Sequence, residues 1–235
     1  ILYQNHCSIY KLTTINPMKK NVLFLLISLT SLNITAQVFI FTSEETEKSI
    51  THKVLLDSEY FIETQYITNS NEFVSTRGGF YELKEGMYLV RFEFNSNFSS
   101  DSLKTLNYKS TKWKQSKAIK QDHSGKWLMA GRVRDGVEKI RITSGARKTL
   151  KFLLNGHFQW TAFNIETFKF HGSGGGTYTS KEGDYIETIT YFSKDNSRVG
   201  AVLPFRYDLK GLDWHHQGLN SKGKLMYEIW TKREN

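Results

Sequence analysis

The residue of this chain whose surroundings best suit chemistry is Glu187. It lies in the stretch 184–192, where apolar and polar residues alternate as they do in a half-buried strand. Tyr185, Ile189 and Tyr191 share its parity, so the carboxylate is predicted to lie on the apolar face. Burial of a carboxylate is costly unless a cation pairs with it. Arg198 or Arg206 is predicted to supply that cation.

Further polar and aromatic side chains are predicted to share this face. Three tyrosines, one on the same strand and two on neighbouring strands, can donate a hydrogen bond to the carboxylate. One tryptophan and one histidine fall on inward positions of their own strands. A polar cluster in apolar surroundings is suited to bind the head group of a small amphiphile. The alternative is a purely structural ion pair at Glu187. The predicted ligand-binding residues are Glu187, Arg198, Tyr185, Tyr178, Trp160, Tyr207 and His216.

The histidines do not predict a metal site. Four of them lie within 125–235, at positions 157, 171, 215 and 216. His215 and His216 are neighbours on a predicted strand, so their side chains point to opposite faces and cannot bind one ion together. A zinc site needs about three protein ligands that converge. We therefore expect no metal site and no cofactor.

Familiar catalytic arrangements are not found in the sequence either. Serine, histidine and aspartate are present, but no G-x-S-x-G turn occurs. Asp184 and Glu187 fall on opposite faces of one strand and make a poor acid–base pair. The triple glycine 174–176 continues into a strand, whereas a phosphate-binding loop needs a helix N-terminus after it. We therefore predict no catalytic residues and a protein that is not an enzyme.

The triple glycine belongs to a duplicated stretch. Residues 78–88 and 175–185 are 97 positions apart and share seven of eleven residues, including both glycines and the turn Lys-Glu-Gly. Identity at this level indicates a structural unit that is built twice. Glycines inside a strand mark a bulge or a bend at which a barrel turns a corner. We therefore predict a barrel-corner element in each copy.

The pattern between these stretches is that of an all-β protein. Short alternating segments rich in aromatic and β-branched residues are separated by turn residues, among them Asn155-Gly156, a strong hairpin signal. The predicted strands of the first unit are 37–42, 50–56, 60–67, 72–83, 87–95 and 103–115. Those of the second are 126–134, 147–154, 157–165, 168–180, 184–192, 199–209, 212–218 and 224–233. Such meanders predict two tandem antiparallel up-and-down barrels, because closure removes exposed strand edges.

The N-terminal region predicts export. Met18 is followed by two lysines, an apolar run over 22–32 and a small residue at Ala36, which is the pattern of a secretory signal peptide over 18–36. The apolar run is too short for a membrane-spanning helix. Residues 1–17 are predicted to be a non-native upstream extension. The resulting domain prediction is 37–117 for the first unit, 118–124 for a linker and 125–235 for the second unit.

Composition limits the remaining partners. The only cysteine, Cys7, precedes the predicted cleavage site, so the exported chain has no disulfide, no thiolate metal site and no lipid anchor. The predicted location is periplasmic or secreted. Removing residues 1–36, with three lysines and no acid, lowers the formal net charge from +9 to +6. Seven lysines lie in 104–126 without a ladder of aromatic residues, so we do not predict nucleic-acid binding.

The two ends of the second unit carry a family resemblance. Gly125-Lys126-Trp127 opens the unit, and Trp230-Thr231-Lys232-Arg233 closes it. These pieces resemble the lipocalin and calycin pattern, and the span 125–235 resembles exported bacterial lipocalin-like domains of uncharacterised function. The resemblance implies an eight-stranded barrel closed at one end by Trp127, with Arg233 or Lys232 stacked on the indole. The first unit has no such tryptophan and one strand fewer, which predicts a shortened or open barrel.

Two functions are consistent with these features. The favoured prediction is an exported, non-enzymatic binding protein whose second barrel takes a small apolar or amphipathic ligand. The alternative is a structural or interaction module. In that case both barrels are filled by their own side chains, and the surface contacts a protein or an acidic glycan.

Overall fold

The structure, a computed structural model, describes residues 36–45, 48–220 and 223–234. The predicted upstream extension and all of the predicted signal peptide except Ala36 lie outside the described residues. Within them the chain is an all-β protein built from two antiparallel sheets, as the alternation pattern predicts. No helix among the described residues is long and apolar enough to cross a membrane.

The first sheet is a curled half-barrel of six strands in chain order. Its strands are β1 (Gln37–Glu45), β2 (Lys48–Leu56), β3 (Tyr60–Ile67), β4 (Phe73–Lys84), β5 (Met87–Asn95) and β6 (Thr105–Lys109). A single-turn helix, α1 (Phe98–Asp101), connects β5 to β6. After β6 the chain returns to the free edge of β1, where Phe39 and Gln115 form an isolated bridge. The prediction of an open first unit is confirmed.

The second sheet contains a closed barrel. Its strands are β7 (Gly125–Arg134), β8 (Val137–Ile140), β9 (Arg147–Leu154), β10 (His157–Asn164), β11 (Phe170–Lys181), β12 (Asp184–Phe192), β13 (Val202–Lys210), β14 (Asp213–Leu219) and β15 (Leu225–Lys232). β7 pairs with β9 and also with β15, so eight of the nine strands form a ring. The complete eight-stranded barrel predicted for this unit is confirmed, and the architecture is compatible with a lipocalin-like fold.

The extra strand, β8, is not among the predicted strands. It folds back on the end of β7 beyond the point where β9 leaves that edge. The turn between them is Asp135-Gly136, and both residues have positive φ values, 52° and 76°. An Asp-Gly pair flanked by valines is a two-residue hairpin signal, so the sequence does contain the information. The predicted hairpin turn at Asn155-Gly156 is confirmed by the same criterion, with φ values of 50° and 80°.

The duplicated glycines lie at a bulge in both sheets, as predicted, and the extra residue of each bulge is on the partner strand, Glu93 in β5 and Thr190 in β12. The pairing register shifts between Gly78 and Gly79 against β5, and between Gly175 and Gly176 against β12. A Cβ atom on Gly176 would lie 1.9 Å from the carbonyl oxygen of Thr188, and one on Gly79 equally close to a backbone carbonyl of β5. Only glycine allows the two backbones to approach so closely.

The bulge corrects one prediction of side-chain direction. Strand parity places Tyr191 on the same inward face as Tyr185 and Ile189, but the extra residue in β12 reverses the alternation. Tyr191 points out of the barrel and stacks on Tyr66 of the first sheet with a ring separation of 5.4 Å. Phe192 points inward instead and lines the barrel interior.

Three apolar clusters hold the described residues together. One fills the half-barrel, where Trp113 lies among the rings of Phe39, Tyr88 and other aromatic residues at centroid distances of 5.0 and 5.2 Å for these two. A second occupies the barrel interior. The third lies between the sheets and combines residues of both, such as Tyr60 and Phe152. Because the sheets share this cluster, the division into two domains that fold separately stays a prediction.

Polar contacts reinforce the joint between the sheets. Lys53 of β2 is buried and donates hydrogen bonds to the carbonyl oxygens of Phe158, at 3.2 Å, and Gly176, at 2.8 Å. Burial lowers the pKa of Lys53 to about 7. On another edge, Arg233 at the end of the chain forms two hydrogen bonds of 2.8 Å with the carboxylate of Glu93. The outer wall of the barrel is therefore tied to the half-barrel by directional bonds as well as by apolar packing.

Candidate functional site

The closed barrel is hollow at one end. A cavity of about 700 Å³ opens to solvent there. Apolar side chains line it: Met129, Trp160, Ala162, Ile189, Phe192, Leu203, Phe205, Leu219, Met226 and Trp230. Charged and polar side chains line it as well: Arg132, Arg134, Lys139, Arg141, Arg147, Thr149, Lys151, Glu187, Arg198, His216, Asn220 and Glu228. The volume falls within the range of about 300–1,000 Å³ that is usual for small-molecule sites.

The chain path defines the two ends of the barrel. The starts of β7, β10, β12 and β14 lie at one end with the finishes of β9, β11, β13 and β15. At this end the aromatic side chains of the interior cluster fill the barrel, so it is the closed end. The connections that follow β7, β12 and β14 lie at the opposite end, the mouth, and several of their residues line the cavity.

Glu187 faces into the barrel, as its parity predicts, but its partner is not the predicted one. Lys151 of β9 donates a hydrogen bond of 2.7 Å to Oε1 of Glu187, and both side chains are at least nine-tenths buried. The hydroxyl of Tyr185 donates a second bond of 2.8 Å to the same oxygen. Arg206 instead pairs with Asp184 on the outer surface, and Arg198 lines the mouth of the cavity.

Lys151 is the site residue that sequence reasoning missed. Its ammonium group lies 5.1 Å from the ring centroid of Trp230 and 5.2 Å from that of Trp214, which places it over aromatic faces that attract a cation. The 97-residue offset of the duplication relates Lys151 to Val54 and Glu187 to Val90. Both valines are buried in the half-barrel core. The second copy thus has a lysine and a glutamate at two positions where the first copy has buried valines. This comparison of the two copies could have identified Lys151 as the partner of Glu187.

His216 lies against the cavity floor and is 1% exposed. Its ring contacts Phe205 at 4.2 Å and Trp214 at 4.9 Å between centroids, and among the described residues neither ring nitrogen has a hydrogen-bond partner. Desolvation, and then the charge of Lys151, holds the pKa of His216 well below its usual value, so the ring is neutral near pH 7. His215 points to the other face and bonds to Tyr227, which confirms the predicted opposition of the two histidines.

The remaining predicted ligand residues divide between cavity and closed end. Trp160 lines the cavity and packs edge-on against Phe192. Tyr178 and Tyr207 belong to the interior cluster nearer the closed end, away from the residues that line the cavity. The hydroxyl of Tyr178 donates a hydrogen bond of 2.8 Å to the backbone carbonyl of His123. The structure thus brings Glu187, Tyr185, Trp160 and His216 together, with Arg198 above them.

Barrel closure differs from the predicted arrangement. Trp127 is buried at the closed end, but Arg233 does not cover it. The guanidinium of Arg233 lies outside the barrel, 5.0 Å from the ring centroids of Tyr60 and Phe80 in the first sheet. Arg233 forms an ion pair with the carboxylate of Glu93 at this place. Charge-assisted hydrogen bonds to a carboxylate stabilise a guanidinium more than an aromatic face alone does.

The ring that covers Trp127 belongs to His123, in the segment predicted as a linker. Its centroid lies 4.6 Å from those of both Trp127 and Trp214. Hydrogen bonds from its backbone N–H to the Ser180 hydroxyl and from Asp122 N–H to the Ser180 carbonyl fix the segment on β11. Burial lowers the pKa of His123 to about 4, with the charges of Lys151 and Lys232 adding to the effect.

Comparisons with other proteins add no name to this site. No protein-family model matches the chain, and no curated protein matches it either. Over the part of the chain that the structure describes, no group of three or more histidine, cysteine or carboxylate side chains is arranged to hold a metal ion. The cavity and its lining are therefore the features of this chain that bear on its function.

Proposed function

We propose that this chain is a non-enzymatic, lipocalin-like binding protein whose closed barrel takes one small amphipathic molecule. The observation that carries the proposal is the cavity of about 700 Å³ that opens at the mouth of the barrel. Eight-stranded barrels either fill their interior with side chains or hold one small ligand, and a hollow interior favours the second use. Export, and the lipocalin-like family suggested by the ends of the second unit, belong to the same proposal.

The lining supports an amphipathic ligand rather than a polar one. Side chains such as Trp160, Ile189 and Phe192 line the cavity between the ion pair and the mouth. Burial of an apolar group against such a wall contributes about 25 cal/mol for each Å² removed from water. The buried charges of Lys151 and Glu187 satisfy one another, so a ligand need not neutralise either of them.

The alternative function, a structural or interaction module with a filled interior, is favoured for the first sheet alone. Its interior is filled by its own aromatic residues around Trp113, and its outer face packs on the barrel. A filled interior is what the interaction-module alternative requires. We propose that the half-barrel is a scaffold that supports the outer wall of the binding barrel.

The test fills the cavity from within. Ile189→Trp adds bulk to the cavity wall, whereas Thr188→Trp adds the same side chain to the exposed outer face of the same strand. Nile red is a suitable probe because it is neutral, apolar and fluorescent in apolar surroundings. We expect the full chain and Thr188→Trp to bind it with similar affinity, and Ile189→Trp to bind at least about tenfold more weakly.

Two results would contradict the proposal. One is the absence of probe binding to the full chain, combined with native mass spectrometry that detects no retained small molecule. The other is equal binding by both tryptophan variants, which would place the probe on the surface. Circular dichroism of each variant checks that the fold is retained.

A further inference from the structure

The mouth of the barrel is strongly basic. In the described part of the chain, six cationic side chains from three segments surround the opening, and we call them the mouth ring: Arg132, Arg134, Lys139, Arg141, Arg147 and Arg198. Four come from the β7–β8 hairpin and the residue after it, one from the start of β9, and one from the connection between β12 and β13. Among the described residues, the only acidic side chain that lines the cavity besides Glu187 is Glu228.

Most of this positive charge is uncompensated within the described residues. Arg132 forms an ion pair of 3.1 Å with Glu228. In the described part of the chain, Arg134, Lys139, Arg147 and Arg198 have no ion pair. The Nε of Arg141 donates to the backbone carbonyl of Met129, which carries no net charge. Among the described residues that line the cavity, six cations therefore face one carboxylate at the opening, and the exposed Asp195 places one further acid near Arg198.

The cations also crowd one another. Partial burial, and then the positive charges of Arg132 and Arg147, lower the pKa of Arg141. Like charges held at one opening repel, and an anion placed among them relieves that repulsion while it gains charge-assisted hydrogen bonds. Guanidinium groups present planar pairs of N–H donors that match carboxylate and phosphate oxygens.

Charge below the mouth is arranged differently. The ion pair of Lys151 and Glu187 is closed on itself, with Tyr185 as a third partner. Between this pair and the mouth the wall is largely apolar, with Ile189 and Phe192 among its members, whereas Phe205 lies deeper, against His216. The cavity thus has a cationic entrance and an apolar interior that ends in a neutral polar cluster.

We propose that the ligand is an anion-headed amphiphile whose carboxylate or phosphate head is bound by the mouth ring while its apolar chain extends toward Trp160 and Phe205. This proposal rests on the proposed function and adds the charge and the orientation of the ligand. Arg147 and Arg198 reach the opening from opposite connections and bind the head from two sides. The apolar chain occupies the wall below them.

The experiment compares ten-carbon probes that differ only in the head: decanoate, decyl phosphate, decanol and decyltrimethylammonium. Each probe competes with Nile red for the full chain at low and at high salt. We expect both anions to compete at least about tenfold more strongly than decanol, and high salt to reduce this preference. Decanol leaves water more readily than decanoate does. Stronger binding of decanoate therefore cannot come from its apolar chain and must come from its charged head at the mouth.

Variants locate the effect. The double variant Arg147→Gln and Arg198→Gln is expected to lose about tenfold in affinity for decanoate and less than about twofold for decanol. Arg206→Gln is the matched control, because Arg206 is an exposed arginine on the outside of the same barrel near its closed end. Its affinity for all four probes is expected to equal that of the unmodified chain.

The outcomes separate the two proposals. Equal competition by decanoate, decanol and decyltrimethylammonium would overturn the anionic head while leaving the binding barrel in place. If the arginine variants bind decanoate as tightly as the unmodified chain does, the mouth ring is not its site and the proposal also fails. If Nile red itself does not bind, the proposed function fails first. Stronger competition by decanoate or by decyl phosphate identifies which oxyanion the ring prefers, and either supports the proposal.

Discussion

At the scale of single residues, the ion pair of Lys151 and Glu187 is the most costly feature of the barrel. Both side chains are removed from water, and their mutual attraction must offset two desolvation penalties. The duplicated positions in the half-barrel, Val54 and Val90, show that an apolar pair serves the same place in the fold. We therefore expect the charges not to be required for folding, which fits a role in the cavity.

Removal of one charge should be far more damaging than removal of the whole polar cluster. Glu187→Gln leaves the ammonium of Lys151 buried without its anion, and we expect the free energy of unfolding to fall by about 3–5 kcal/mol. The triple variant Lys151→Met, Tyr185→Phe and Glu187→Leu removes every member of the cluster together. We expect it to lie within about 1 kcal/mol of the unmodified chain or above it. Urea denaturation measures both.

A control exists on the same strand. Asp184 pairs with Arg206 at the surface, where both side chains are largely exposed. Asp184→Asn should change the free energy of unfolding by less than about 1 kcal/mol, because exposed ion pairs contribute little. A loss in the triple variant as large as that in Glu187→Gln would show that the cluster is needed for stability.

At the scale of elements, the bulge at the duplicated glycines shapes both sheets. It brings β11 against β12 so closely that a Cβ on Gly176 would overlap the carbonyl of Thr188. It also reverses the alternation of β12, so that Phe192 lines the cavity while Tyr191 reaches the first sheet. One glycine thus decides which ring serves the site and which serves the joint between the sheets.

Substitution of this glycine should be severe despite its small size. Gly176→Ala forces the backbones of β11 and β12 apart, and we expect a loss of about 3 kcal/mol or more in the free energy of unfolding. Gly145→Ala is the control, because a Cβ at Gly145 meets no atom within 4 Å. Its effect should be below about 0.5 kcal/mol. Equal melting temperatures for the two variants would contradict the account of the bulge.

At the scale of the whole molecule, a buried neutral histidine lies in each of three regions: the cavity floor, the closed end of the barrel and the contact between the two sheets. His216 lies on the cavity floor, and His123 covers Trp127 at the closed end. His157 starts β10, and burial, followed by the charge of Lys53, lowers its pKa to about 3. None of the three can take up a proton without charging a buried ring.

These depressed pKa values predict acid lability. In the unfolded chain each histidine titrates near 6.5, while in the folded chain His123 titrates near 4 and His157 near 3. Between these values the unfolded state binds more protons, so the free energy of unfolding must fall as the pH falls from about 6.5 toward 4. Each histidine contributes a slope of up to about 1.4 kcal/mol per pH unit.

Urea denaturation at a series of pH values measures this slope. In the folded chain the pKa of His216 is held well below its usual value. Replacement of His216 by Asn should therefore lower the slope of the unfolding free energy against pH by the contribution of one histidine. A free energy of unfolding that stays constant from pH 6.5 to 4.5 would be incompatible with neutral buried histidines. Carboxylates paired in the folded state, such as Glu93, contribute at lower pH, where their own depressed pKa values lie.

Local pattern was enough to predict most of the architecture. The alternation of residues and the turn signals placed the first and second sheets, and the duplication identified the bulge. Parity placed Glu187, Trp160 and His216 inside the barrel. These properties depend on neighbours within a few positions along one strand, which is the range over which a sequence pattern carries information.

The partners across the barrel could not be predicted in the same way. Lys151 meets Glu187 from a strand that is not its neighbour in the sheet, and Arg233 leaves Trp127 for Glu93 on the other sheet. His123 covers the closed end from a segment without any strand pattern. These contacts depend on barrel closure and on how the sheets pack.

The sequence by itself determined an all-β chain with a repeated glycine corner and an inward carboxylate in its second half, because strand alternation and backbone sterics act locally. The tertiary structure alone decided that the barrel is hollow, that Lys151 neutralises Glu187 and that the mouth ring gathers at one opening. Cavity volume and charge clustering arise only when residues far apart in the chain are brought around one axis, where closure fixes which side chains face each other.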